Sequence, residues 1–168
     1  MGDYEDCTFI NCDLSSMDLP GLHFTECEFN GCNKSMAKLA KTTFNEVKFI
    51  GCKLVALHFE DYNEFLFSVA FDHCQLTFSS FYKRKLKNTT FKNSTLQEVH
   101  FTESDLSGSV FDHGDLAKAT FENTILEKVD FRTSFHYTMN PELNRKKKAK
   151  FFMTVIAGLL GKYDIEVE

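Results

Sequence analysis

Six cysteines and six histidines are the side chains in this 168-residue chain that could bind a metal or form disulfides. The cysteines occupy positions 7, 12, 27, 32, 52 and 74, and no Cys-x-x-Cys pair occurs among them. Zinc sites built from cysteines usually contain such close pairs. Because five of the six positions differ from one another by multiples of five, we expect them to fill a repeated structural position as free thiols, which behave as small apolar side chains.

The histidines do not supply a metal or catalytic site either. In the repeat described below, His73 and His113 share an outward column with Asn93 between them, so they lie two turns or about 10 Å apart. The chain lacks a glycine-rich phosphate loop, a nucleophile elbow and an HExxH motif. We therefore predict no catalytic residue, no cofactor and no metal ligand.

The element that positions these residues is a five-residue repeat. Phe or Leu occupies every fifth position from Phe71 to Phe131, and a second frame runs from Phe9 to Phe59. A period of five fits neither a helix nor a strand, but it is typical of a solenoid. Two residues are inserted between the frames, near Asp61–Glu64. We leave open whether this break is a contact point or only a kink.

A period of 20 residues is superimposed on the first. Four five-residue units then form one square coil, and residues 20 apart stack about 4.8 Å from each other. We predict an all-β parallel β-helix of about six coils over residues 1–134, with residues 135–168 as a separate C-terminal element. Stacked cysteines should remain free because their Cβ vectors run parallel. The predicted core residues are Phe9, Leu14, Phe29, Phe49, Phe71, Phe91, Phe111, Phe131, Cys12, Cys32 and Cys52.

Two basic residues interrupt the apolar pattern. Lys34 stands where the repeat calls for a large apolar residue, and Arg84 stands where it calls for a small inward one. An unpaired ammonium in a narrow core is costly. We therefore expect a local bulge at Asn33 and Lys34 that turns Met36 inward. Arg84 should either be paired or lie where the backbone turns outward.

The C-terminal element is predicted to be a short α-helix. Asn140 can cap it, Pro141 suits its first turn, and Gly161 can end it. The helix should cover the last coil, and its surplus apolar surface predicts a tail-to-tail homodimer. The basic residues from Arg145 to Lys150 fit a solvated helix face better than a nucleic-acid site. The cap and dimer residues are Phe151, Phe152, Val155, Ile156, Leu159 and Leu160.

Charge and hydropathy narrow the class of partner. Residues 1–134 hold 20 acidic and 13 basic side chains, whereas residues 135–168 hold 4 acidic and 6 basic ones. An acidic body disfavours direct nucleic-acid binding, which needs clustered Lys and Arg. The chain shows neither a membrane-spanning run nor a signal peptide, so we expect no membrane contact and a cytoplasmic location.

Several stretches carry a recognisable motif, among them Ser104–Gly108, Gly114–Lys118 and Val129–Thr133. The pattern resembles the pentapeptide-repeat family, whose consensus is A(D/N)LXX. The resemblance implies a right-handed quadrilateral β-helix and a noncatalytic scaffold that acts through protein–protein interaction with an unknown partner. The chain is also similar to the quinolone-resistance members, which implies an alternative: a DNA mimic that binds DNA gyrase or topoisomerase IV. Mimicry predicts a continuous acidic stripe, and a patchwork of both signs would count against it.

Overall fold

The computed structural model describes residues 2–18, 20–38, 40–61, 67–163 and 165, without the side chain of Val155. Its strands are short and all pair in parallel. Three 3₁₀ helices, Phe59–Asp61, Met153–Leu159 and Gly161–Tyr163, complete the described elements. The strands are β1 (Asp3–Glu5), β2 (Thr8–Ile10), β3 (His23–Thr25), β4 (Glu28–Asn30), β5 (Thr43–Asn45), β6 (Val47–Ile50), β7 (Val69–Asp72), β8 (Thr90–Lys92) and β9 (Val110–Asp112).

Four ladders of parallel pairing form the four sides of the solenoid. Side A begins with the β1-β3-β5 sheet and continues through the bridged positions 85, 105, 125 and 145. Side B is the six-stranded sheet β2-β4-β6-β7-β8-β9, which bridges extend to positions 130 and 150. Side C is the ladder through positions 13, 33, 53, 75, 95, 115 and 135, and side D contains the pair 18–38 and the ladder 58, 80, 100 and 120. The predicted parallel β-solenoid is confirmed, whereas its right-handed winding stays a prediction.

The corners between sides use left-handed backbone. Among the described residues, twenty-one other than glycine have φ between 49° and 62°, and most follow the large apolar residue of a unit by two positions. Side chains disfavour this conformation, so backbone bonds between turns must hold it. Asn88 N donates to Ser107 O at 3.0 Å, and Lys128 N donates to Lys147 O at 2.9 Å.

Phenylalanine rings stack along the interior of the rod. On side B, Phe71, Phe91 and Phe111 stack with ring centroids 5.2 and 4.8 Å apart and nearly parallel planes. Rings of side D, such as Phe101, meet them edge-on at 5.8 Å. Both geometries are favourable for aromatic pairs. Of the predicted core residues, Phe9, Leu14 and Cys12 in the first turn are half-buried, and the others are buried.

The bulge predicted at Lys34 is wrong. Asn33 bridges Asp13 and Lys53 like other members of its ladder, and Lys34 N donates to Lys53 O at 2.8 Å. The Lys34 side chain is fully buried, whereas Met36 is 60% exposed. The turns before and after fix the register of this one through backbone hydrogen bonds. The lysine therefore points inward with its long aliphatic stem in the space of a leucine.

The α-helix predicted from Asn140 is also wrong, because the solenoid continues through residue 150. Arg145 bridges Ile125, and Lys150 bridges Asp130. Asn144 occupies the small inward position, where its Nδ2 donates to Phe121 O at 2.7 Å and its Oδ1 accepts from Thr124 N at 2.9 Å. These bonds replace the capping that the sequence suggested. Only 3₁₀ helices follow, and the described residues contain no α-helix.

Candidate functional site

The cysteines form two inward columns and take part in the packing of the core. All six are free, and Cys27, Cys32, Cys52 and Cys74 are buried. The Cys52 thiol donates to Phe29 O at 3.2 Å, and the Cys74 thiol donates to Phe49 O at 3.2 Å, each in the preceding turn. Ser109 Oγ makes the equivalent bond to Leu86 O at 2.6 Å. The cysteines thus do the work of small hydrogen-bonding residues.

The environment of these thiols does not favour nucleophilic chemistry. Burial raises the pKa of both Cys27 and Cys32. The hydrogen bond with Cys52, together with burial, raises the pKa of Cys74. A thiol with a raised pKa is a weak nucleophile at neutral pH. Within the described residues, no group of three or more His, Cys, Asp or Glu side chains could hold a metal ion.

Lys34 is the buried cation of the core. Its Nζ lies 3.7 Å from the centre of the Phe29 ring, 5.1 Å from that of Phe24 and 5.7 Å from that of Phe44. Among the described residues, this Nζ has no hydrogen-bond acceptor. Burial lowers the pKa of Lys34 to about 8. The aromatic faces offset part of the cost of removing the ammonium from water.

Arg84 has partial compensation of another kind. Its Nη2 donates to the carbonyl oxygen of Glu60. Its Nε and Nη1 atoms are buried without a partner in the part of the chain that the structure describes. The expectation that this side chain must be paired is therefore met by one backbone contact. Residues 62–64 of the predicted break lie outside the described residues.

The two predicted histidine neighbours do not come together. His73 Nδ1 lies 2.7 Å from Asp72 Oδ1, and His113 Nδ1 lies 2.7 Å from Asp112 Oδ1. Each histidine therefore pairs with the residue before it in its own turn. His23 and His100 make hydrogen bonds to threonines of the next turn. These contacts give the histidines structural partners on the outer surface.

The first turns carry negative charge on their outer faces. Residues 1–33 contain seven Asp or Glu and no Lys or Arg. Asp6, Glu26 and Glu46 stand in one column at the edge between sides A and B, beside a groove of about 530 Å³. Ser68 and Asn88 line the same groove further along the rod. The solenoid thus places unlike segments of sequence at regular heights along one edge.

The middle of the solenoid carries charges of both signs in pairs between neighbouring turns. Lys87 Nζ lies 3.2 Å from Asp105 Oδ2, and Lys83 Nζ lies 3.5 Å from Glu103 Oε2. Lys92 lies 3.5 Å from Asp72 and Lys118 lies 3.8 Å from Glu98. A column of acids and bases in alternation is a patchwork, so the acidic stripe is limited to the first turns.

The tail after residue 150 covers the last turn and leaves apolar side chains exposed. Phe151 stacks on Phe131 with ring centroids 5.3 Å apart, and Leu159 packs against the core. Phe152, Met153 and Ile156 are exposed by 54%, 84% and 43%. Leu160 is half-buried, and the Val155 side chain lies outside the described part. No described helix is both long and apolar enough to cross a membrane.

The repeat pattern now has a family. The model of the pentapeptide repeat region matches residues 3–63 and 65–135. The chain belongs to the pentapeptide-repeat family. The solved structures similar to this pentapeptide-repeat protein include QnrB1, a plasmid-mediated fluoroquinolone resistance protein. A trypsin-treated variant of QnrB1 has a TM-score of 0.69 at 18% identity, over 99% of this chain and 91% of that one.

A second structure extends this comparison. Full-length QnrB1 has a TM-score of 0.63 at 17% identity and covers 97% of this chain and 90% of its own. Identities this low establish a shared fold. A comparison of this pentapeptide-repeat protein with curated protein sequences finds no match.

Sequence reasoning missed two features of the surface and core. It did not place Lys34 inside the aromatic core, because the residue type alone argued for exposure. It noted the charge difference between the body and the tail but did not assign the charges to sides. The 20-residue register contained that signal: Asp6 and Lys148 share a column once the solenoid is continued through residue 150.

Proposed function

We propose that this pentapeptide-repeat protein is a noncatalytic scaffold that binds another protein through the outer faces of its solenoid. The main support is the division between interior and surface. Stacked rings and buried leucines fill the interior, whereas the lysines, acids and histidines stand mainly in outward columns. A rod of this kind recognises a partner by the height and side of its outward residues.

The test is affinity purification with matched surface variants of the full chain. One variant reverses charges on side A, with Lys85→Glu and Lys87→Glu, and a second reverses side D, with Glu122→Lys. Circular dichroism and unfolding midpoints should stay unchanged because these side chains are exposed. Support is a partner that one variant loses and the other keeps. Equal retention by both variants and by a Phe91→Ala variant with a damaged core would contradict specific surface recognition.

A second candidate function is binding to a type II topoisomerase by DNA mimicry. Two observations favour it: the fold is shared with QnrB1, and the first 33 residues carry seven acids without a basic residue. The ion pairs of the middle turns argue against a stripe along the whole rod. Purified protein should be titrated into a DNA gyrase supercoiling assay with and without a fluoroquinolone. Inhibition or rescue at low micromolar protein would make this the leading function, and no effect would remove it.

The tail is proposed to serve a homodimer. Phe152, Met153 and Ile156 lie close to one another in sequence and are exposed, which suits a contact with the tail of a second copy. Light scattering should detect a dimer of the full chain. Substitution of these three residues by serine should then give a monomer. A dimer unaffected by these substitutions would show that the contact lies elsewhere.

A further inference from the structure

Side A carries opposite charges at its two ends. Its first turn presents Asp3, Glu5 and Asp6, all exposed. Its last turn presents Arg145, Lys147 and Lys148 at the equivalent positions, also exposed. Five steps between the strands of side B and two further bridges separate these turns. At ~4.8 Å a step the ends are about 34 Å apart, several Debye lengths at physiological salt. The two sets therefore do not stabilise each other within one chain.

These end charges have few partners of their own. Within the described residues, Asp3, Glu5, Asp6, Lys147 and Lys148 make no ion pair, and Arg145 makes one at 3.4 Å to Glu127. The middle of side A is neutral or internally paired. Lys87 pairs with Asp105 there, and Ser107 Oγ donates to Asp105 Oδ1. Side A is thus a face with an acidic end, a balanced centre and a basic end.

The edge column of side A shows the same order. It consists of eight positions, one for each turn, and all but Ser68 have a left-handed backbone. The first three are acidic, the next three are uncharged, and the last two are basic. The column is Asp6, Glu26, Glu46, Ser68, Asn88, Gly108, Lys128 and Lys148.

We propose that side A binds side A of a second copy in an antiparallel, side-by-side pair. A twofold axis across the rod brings each column opposite its own reverse. Asp3 then faces Arg145 of the second copy, Glu5 faces Lys147 and Asp6 faces Lys148. Further along, Glu26 faces Lys128, and Ser68 faces Asn88 next to the axis. The two ladders match because both have the same spacing between turns.

The alternatives are electrostatically worse. A parallel pair through side A would set the acidic first turns of the two copies against each other, and their basic last turns likewise. An antiparallel pair through side B would set Glu28 opposite Asp130. On side A, the described residues contain no like-charged pair under the antiparallel operation. Like charges held together across an interface oppose association, so the charge order selects both the side and the direction.

The pair is expected to be weak and sensitive to salt. One side of a narrow rod offers less surface than a stable dimer usually buries, and exposed ion pairs contribute little individually. Its contacts are separate from those of the proposed tail-to-tail dimer and of an unidentified protein partner. The inference therefore does not depend on the proposed function.

Two charge-reversal variants of the full chain test the proposal. The first, Asp3→Lys/Glu5→Lys/Asp6→Lys, makes both ends of side A basic. The second, Arg145→Glu/Lys147→Glu/Lys148→Glu, makes both ends acidic. Each variant alone should associate at least tenfold more weakly than the unmodified chain in sedimentation velocity at low ionic strength. Their equimolar mixture should recover association, because a basic end again meets an acidic end.

Native mass spectrometry of the mixture separates this arrangement from the others. Side-by-side pairing predicts mixed dimers in at least tenfold excess over the statistical proportion, whereas tail-to-tail dimers would mix statistically. In the unmodified chain, a carbodiimide reagent should join peptides containing residues 3–6 to peptides containing residues 145–148. A matched control, Asp13→Lys/Asp18→Lys, changes the first turn on sides C and D and should associate like the unmodified chain. Statistical mixing, a chain that remains monomeric at low salt, or reversal variants that associate normally would overturn the proposal.

Discussion

The Nζ atom of Lys34 lies 3.7 Å from the centre of the Phe29 ring, and both side chains are completely buried. This lysine occupies a position that Leu54 and Leu76 fill in the following turns. The surrounding rings accept the cation electrostatically but offer no hydrogen bond. The protein therefore keeps a charge in its core at a cost in stability.

Replacement of Lys34 by leucine should stabilise the protein. The pKa of Lys34 falls from 10.5 to about 8, and this difference corresponds to roughly 3 kcal/mol of folding free energy spent on the ammonium. We expect Lys34→Leu to raise the free energy of unfolding by about 1–3 kcal/mol in a urea titration, since the lost cation–π contact offsets part of the gain. The exposed control Lys38→Leu should change it by less than about 0.5 kcal/mol. A destabilised Lys34→Leu variant would show that the aromatic contacts outweigh the desolvation.

The same lysine makes stability depend on pH in the alkaline range. Because its folded-state pKa of about 8 lies below the unfolded value of 10.5, the unfolded chain binds more protons between these two pH values. The free energy of unfolding should therefore rise with pH across this window, by at most about 1.36 kcal/mol per unit. The difference between the unmodified chain and Lys34→Leu isolates this contribution from other titrating groups. It should shrink from pH 8 to pH 10.5, and a constant difference would contradict the buried ammonium.

Thiol reactivity should separate the cysteines by turn. Cys7 and Cys12 in the first turn are half-buried, whereas Cys27, Cys32, Cys52 and Cys74 are buried and bonded to backbone carbonyls. An aromatic disulfide reagent should label the first two in the native protein and the other four only after unfolding. Mass spectrometry of the labelled peptides gives the order. Rapid native labelling of Cys52 or Cys74 would mean that the solenoid opens locally.

The two adjacent phenylalanines of the tail should differ in their effect on stability. Phe151 stacks on Phe131 and also contacts Tyr137, with ring centroids 5.7 Å apart, whereas Phe152 is exposed. Phe151→Ala should lower the free energy of unfolding by roughly 1–3 kcal/mol, because it removes the last ring of the column. Phe152→Ala should change it by less than about 0.5 kcal/mol. Thermal unfolding of the matched pair provides the measurement, and equal losses would argue against the stacked cap.

The sequence was sufficient for the repeated part of the fold. Phe71, Phe91 and Phe111 could be assigned to one stacked column because each turn contains the same number of residues. Residue type was a poorer guide where one unit departs from the pattern. Lys34 was expected to leave the core, yet the backbone bonds of Asn33 and Lys34 to neighbouring turns hold it there.

The tail shows the same limit. At the central positions His136, Pro141 and Lys146 the repeat loses its Phe or Leu, so local signals favoured an α-helix. The structure keeps the turn because the small inward residues Ser134 and Asn144 remain hydrogen-bonded to it. The charge order of side A likewise became visible only when the tail was counted as part of the solenoid.

The constant number of residues in each turn makes the solenoid a molecular ruler. Insertion of about 20 residues would add one graduation of about 4.8 Å between the ends and leave every later side chain on its original side. Insertion of a single five-residue unit would instead rotate all later side chains to the next side. Natural length variation by whole turns would therefore retune the reach between two bound surfaces, whereas variation by single units would redirect them.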